Sequence, residues 1–188
     1  MPANYYSFDL KGFRFVVLDG NHIKAGPEDY RDHQHSNYYS QKERGHFGPR
    51  QLQWFKDQLE QSDLHVVSFS HQRLSHRADG PDMRSAIDDA NAKAGFGKFI
   101  LSLNGHGHRD LSEVVAQVPY VEIPTAAHKW DGKPIPHTTV RFAVVHLDAK
   151  GVIEIDGRSI EFEYQNKGKG DFAVGSIIDK TFNFTPKP

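Results

Sequence analysis

Apolar and polar positions along the chain fall into blocks with different periods. "FRFVVLD" (13–19) reads as a strong strand, with Phe13, Phe15 and Val17 on one face and Val16 and Leu18 on the other, so burial on both sides is expected. "YYSFDL" before it alternates loosely and "KG" can turn, which predicts a hairpin. Gly20 to Phe47 is a long polar stretch with no periodicity; loops of this length are usually functional or disordered. "GPRQLQWFKDQLEQS" (48–62) then reads as a helix, with Pro49 in its first turn and Leu52, Phe55 and Leu59 at helical spacing. "LHVVSFS" is a strand ending at His71, Pro81 opens a second helix that ends near Gly95, and "KFILSLN" is a third strand. Strand, helix, strand, helix, strand predicts a layered α/β fold.

Beyond Asp110 the pattern becomes strand after strand. "LSEVVAQVPYVEIPT", "TTVRFAVVHLD" and "GVIEIDGRSIEFEYQ" are strand-like, with "DAKG" as a turn between the last two, so antiparallel pairing is expected. The end is punctuated by Gly, Pro and Lys. The expected division is a domain over 1–165 and a loosely held extension over 166–188.

Composition narrows the chemistry more than the fold. The chain has 188 residues, a length that fits one domain, and 12% aromatic residues, enough for a core. A formal net charge of -1 gives no global electrostatic case for nucleic-acid or membrane binding. With no cysteine, disulfides and thiolate metal sites are excluded, and His, Asp, Glu and Asn remain as ligands. No apolar stretch is long enough to span a bilayer, and "MPANYYSFDL" lacks the regions of a signal peptide. The expectation is a soluble protein, cytoplasmic by default, or secreted or periplasmic if a signal has been lost upstream.

Twelve histidines is the unusual count. Two strand ends carry them: His71 after "VVSFS", and His106 with His108 in "SLNGHGHRD". Ligand sites in open α/β sheets gather beyond the carboxyl ends of strands, so the three imidazoles could converge on a metal there. The glycines around His106 would let the backbone turn sharply.

These residues resemble the calcineurin-like metallophosphoesterase family, whose last two motifs are a lone His after a strand and a Gly-His-x-His. "YYSFDLKGFRFVVLD" resembles the hairpin that follows the family's central motifs, and "QLQWFKDQLEQS" the helix before the lone His. The resemblance runs from about Tyr5 to about Asp156. It implies an α/β fold forming part of a four-layer αββα sandwich, with a mixed sheet, C-terminal antiparallel strands and flanking helices. It also implies two divalent ions (Mn, Fe or Zn) about 3.5–4 Å apart that activate a water for in-line attack on a phosphate mono- or diester. His71 and His106 would then serve one metal and His108 the other. Arg73 and Arg109 border this region and are assigned to phosphate oxygens as an inference from charge.

The family's Asp-x-His, Gly-Asp and Gly-Asn-His blocks should precede "YYSFDL", where only four residues stand before Tyr5. The chain is therefore expected to hold the C-terminal half of a site, incompetent for two-metal hydrolysis alone. Gly20-Asn21-His22 copies the core of the third block, which gives Asn21 a reading as a ligand and His22 one as a catalytic acid; the other reading is a polar loop after a strand. Asp19 reads as a turn or capping residue, and Asn104 as a partner for backbone groups. His33, His35 and His46 could gather a surface metal, and Tyr30, Tyr38 and Tyr39 could stack on a substrate ring; solvated loop side chains are the alternative. His128 and His137 read as loop decoration. The competing functional class is an inactive, truncated or degenerate module used for binding or assembly. Because Phe13, Phe15 and Val17 would lose part of their cover, a homo-oligomer or a partner chain over the incomplete sandwich is expected.

Overall fold

A computed structural model describes residues 4–24, 30–31, 44–74, 79–124, 126, 128–130, 134–136, 139–161 and 177–188. The hairpin expected at the start is present. Strands β1 (Tyr6–Leu10) and β2 (Phe13–Leu18) pair antiparallel around Lys11 and Gly12, both at positive φ (47° and 85°), as a tight hairpin turn requires. The polar stretch after β2 supplies three short strands, β3 (His22–Lys24), β4 (Tyr30–Arg31) and β5 (Arg44–His46), which form a small separate sheet. His33, His35, Tyr38 and Tyr39 lie outside the described residues.

Helix α1 (Pro49–Glu60) precedes β6 (His65–Ser70), and α2 (Gly80–Ala94) precedes β7 (Phe99–Asn104). Pro49 occupies the first turn of α1, as expected. Gly95, left-handed at φ 70°, ends α2 and donates its N–H to the Asn91 carbonyl. The Asp79 carboxylate accepts the Phe47 and Gly48 N–H groups at 2.8 Å each, tying the start of α1 to the start of α2. Phe55 and Leu59 face the core as their spacing predicts, but Gln51 is buried ahead of Leu52. Its amide donates to the Asp19 and Phe47 carbonyls and accepts the Asp19 N–H, stitching the end of β2 to the helix.

Beyond β7, the segment 111–122 is a second hairpin, β8 (Leu111–Val115) and β9 (Val118–Glu122). Its turn is made by Ala116 and Gln117 at φ 48° and 67°. The main sheet runs β1-β2-β6-β7-β9-β8, with β2, β6, β7 and β9 parallel and the two outer strands antiparallel to their neighbours. A two-stranded ribbon, β10 (His128–Trp130) with β11 (Pro134–Pro136), follows. The last sheet is antiparallel, β12 (Thr139–Asp148), β13 (Val152–Glu161) and β14 (Lys180–Asn183) in that order. The extension expected over 166–188 thus supplies, in its described part, a strand of this sheet, with Ile177 and Phe184 buried; the 165/166 boundary lies outside the described residues.

Two cores result. Val16, Leu18, Val66 and Phe99 on one face of the main sheet pack under Phe55, Leu59, Met83 and Ile87 of the helices. Phe13, Val67, Leu101, Leu103 and Val121 on the other face meet Ile153 and Ile155 of the last sheet. The architecture among the described residues is helix–sheet–sheet, three layers, since α1 and α2 share one side. No described helix is long and apolar enough to cross a membrane.

Candidate metal centre

β6 and β7 are parallel neighbours, so their carboxyl ends, Ser70 and Asn104, pair in register and deliver His71 and Gly105–His108 to one edge. Two of the three expected imidazoles meet there. His106 Nδ1 stands 3.2 Å from His71 Nε2, and the rings are edge-on at 5.1 Å. With metal–nitrogen bonds of about 2.0–2.1 Å and tetrahedral angles, two imidazoles on one ion hold their nitrogens about 3.3 Å apart. The pair therefore fits two ligands of a single cation. His108, half-buried, does not join it in a three-ligand group: among the described residues no three of His, Asp and Glu come together as such a group. A dinuclear centre needs more donors, including a bridging carboxylate, than the described residues bring here.

The turn geometry corrects the expectation about its glycines. His106 and His108 take the left-handed conformation, at φ 71° and 57°, while neither Gly105 nor Gly107 does. Gly107 is needed for space. A Cβ there would stand 2.1 Å from Glu122 Oε1 and 2.7 Å from its Cδ. Glu122, last residue of β9 and 2% exposed, pairs in register with Asn104 and so lies directly under the turn. Its carboxylate accepts the Arg109 N–H at 3.2 Å and faces Arg73 Nε at 3.8 Å.

Arg73 is engaged from both sides, since Nη2 also donates to Glu113 Oε1 at 3.2 Å. The arginine assigned to phosphate is thus half-buried between two glutamates, and its first contacts are structural. The Arg109 side chain is exposed. Asn104 is buried and donates from its amide to the Gly105 carbonyl, as its backbone role predicts.

Asn21 belongs to a loop turn. Its N–H donates to Asp19 Oδ1 at 2.9 Å, and its side-chain oxygen accepts from Gln72 Nε2, on the residue after His71. Among the described residues, buried Gln72 Oε1 has no hydrogen-bond partner, and a Cβ on Gly20 would stand 2.7 Å from it. His22 is buried on β3, with Nε2 3.7 Å from Asp19 Oδ2 and His46 opposite it in register on β5. Glu122, Glu113 and Gln72 were not singled out by sequence reasoning. The available signal for Glu122 was a carboxylate inside "VPYVE", a run with no polar alternation in which every residue is buried.

No protein-family model and no curated protein sequence matches the chain. Among solved structures, the chain is similar to a dimetal phosphatase from Danio rerio, with a TM-score of 0.61 and 17% identity over 96% of this chain and 60% of that one. A 5′-nucleotidase structure from Staphylococcus aureus is matched at a TM-score of 0.39 and 14% identity, over 91% of this chain and 32% of that one. The fold thus resembles that of metallophosphoesterases, and the chain spans three-fifths of the length of the Danio rerio phosphatase.

Proposed function

We propose that this chain is the histidine-bearing part of a metal-dependent phosphoesterase acting on a phosphate mono- or diester, with the remaining ligands supplied from outside the described residues. The observation that carries the reading is the His71–His106 contact, two nitrogens at the spacing of ligands on one ion, at the carboxyl ends of adjacent parallel strands. The similarity of the fold to that of a dimetal phosphatase supports the reaction class, and the strand-end position is read from this chain alone. Bound metal ions would supply charge neutralisation and an activated water. The chain's own part is to hold two imidazoles in place, through a turn that rests on Glu122, and to offer the exposed Arg109 to a phosphate oxygen.

The incomplete ligand set favours a second reading, a binding or assembly module without turnover. Calorimetric titration with Zn(II), Mn(II) and Co(II), followed by p-nitrophenyl phosphate and bis(p-nitrophenyl) phosphate assays, separates the two. Expected is binding that His71→Ala and His106→Ala each weaken by at least about tenfold, as loss of a direct ligand should exceed the effect of an outer-shell one. Metal affinity indifferent to both substitutions overturns the phosphoesterase reading.

A further inference from the structure

The two helices enclose a cleft that the histidine site does not use. Ala86, Ala90 and Ala94 recur every fourth residue along α2, so their short side chains share one side of the helix. With Leu59 of α1, Phe96 and Lys98 they line a cleft of about 410 Å³, a size that takes a small organic molecule. Small residues alone would signify only close helix packing; Lys98 is what marks the cleft. It stands just before β7 and is 5% exposed. Among the described residues its ammonium forms no ion pair and donates no hydrogen bond, and the Phe96 ring lies 5.9 Å from Nζ. An ammonium held out of water is costly unless a counter-charge meets it. The neighbouring carboxylates are engaged elsewhere and largely exposed, Glu60 on Lys93 at 3.2 Å and Asp63 on Lys187 at 3.4 Å. Burial holds the Lys98 pKa below the ordinary lysine value; Asp63 opposes that shift, and Arg14 and Lys187 add to it.

We propose that this cleft binds a small monocarboxylate with an apolar body, its carboxylate on Lys98 and its body along Leu59, Ala86, Ala90 and Phe96. The charges around the cleft select a single negative charge. Glu60, Asp63 and Asp89 also line it. Both helices finish here, α1 at Glu60 and α2 at Ala94, and their carbonyl ends add partial negative charge. One buried ammonium meets one carboxylate, whereas a phosphate dianion would bring a second charge against that rim. The cleft is separate from the histidines. Lys98 precedes β7 and His106 follows it, so the six residues of that strand, roughly 20 Å, lie between them. The inference is therefore independent of the phosphoesterase reading.

The test titrates octanoate, octanol and octyl phosphate into the isotope-labelled full chain and follows the backbone amide signals by NMR. Expected is saturable octanoate binding with shifts centred on Ala90, Phe96 and Lys98, at least about tenfold tighter than either octanol or octyl phosphate. Lys98→Met keeps the apolar stem and removes the charge; it should weaken octanoate at least about tenfold and leave octanol unchanged. Ala90→Phe leaves the lysine in place and fills the cleft, so it should weaken octanoate and octanol alike. No saturable octanoate binding, shifts centred on His71 and His106 instead, or octyl phosphate binding more tightly than octanoate overturns the proposal. So does octanoate affinity that either substitution leaves unchanged.

Discussion

Gly105 and Gly107 flank the same histidine, yet adding one methyl group to each should have opposite consequences. At Gly105 a Cβ meets nothing closer than His71 Nδ1 at 3.8 Å, ordinary contact, and φ is not left-handed. Gly105→Ala should therefore lie within about 0.5 kcal/mol of the parent, or gain slightly from a stiffer unfolded chain. At Gly107 the methyl would stand 2.1 Å from Glu122 Oε1, more than about 1 Å inside contact distance. Glu122 is buried in a strand and cannot retreat without losing the Arg109 N–H and the Arg73 guanidinium. Overpacking of about 1–3 kcal/mol and a lost hydrogen bond to a charged group, about 1.5–3 kcal/mol, together predict a loss of about 3–5 kcal/mol. For a chain of this length that is roughly 10 °C in Tm, readable by calorimetry or by the denaturant midpoint. Placing Gly107→Ala in a Glu122→Ala background removes the atoms the methyl would meet, so its added cost there should fall below about 1 kcal/mol. Equal effects at the two glycines, or no coupling with Glu122, would refute the account of a turn resting on a buried carboxylate.

The other predictions concern strain and ionisation. His106→Gly relieves a left-handed residue and should stabilise the fold by about 1 kcal/mol, a Tm rise of roughly 2–4 °C in calorimetry, while lowering metal affinity in the same titrations used for His106→Ala; an unchanged or lower Tm contradicts the strain. Burial holds the Tyr120 hydroxyl up at about 12, against an ordinary value of 10.0, with Arg84 opposing the shift. The unfolded chain loses this proton first, so stability should fall as pH rises from about 10 to about 12, by up to about 2–3 kcal/mol. Denaturant midpoints across that window should flatten in Tyr120→Phe, and a slope unchanged by the substitution assigns it to other groups.

Periodicity was enough to read the elements that bury one regular face. α1, α2, β2, β6 and β7 follow from helical spacing, a proline in the first turn, Gly95, and apolar runs. What escaped depends on contacts between residues distant in the chain. Gln51 looks like a surface helix residue, and only the backbone of Asp19 and Phe47 brought against it makes a buried amide favourable. The β8–β9 turn carries no glycine or asparagine, because Ala116 and Gln117 adopt positive φ without the usual signal. The histidine pair was legible from its strand-end positions, whereas the reason for Gly107 was not. It lies in Glu122, fifteen residues away and in register with Asn104, a relation that exists only once β9 has paired with β7.

The strained turn bears on which functional class the chain belongs to. Two non-glycine residues in the left-handed region each cost about 1–2 kcal/mol, and a buried carboxylate adds a desolvation penalty that its partners must offset. The two left-handed histidines lie in the turn, where His106 and Gly107 are exposed, while Glu122 supports that turn from the buried end of β9. Glycine would be easier at φ 71°; what histidine adds there is an imidazole hydrogen-bonded to His71 at 3.2 Å, the same pair that the proposed function assigns to a cation. A module kept only for assembly would gain from losing that strain. Strain and imidazole convergence at one residue therefore favour the proposed function over the assembly reading.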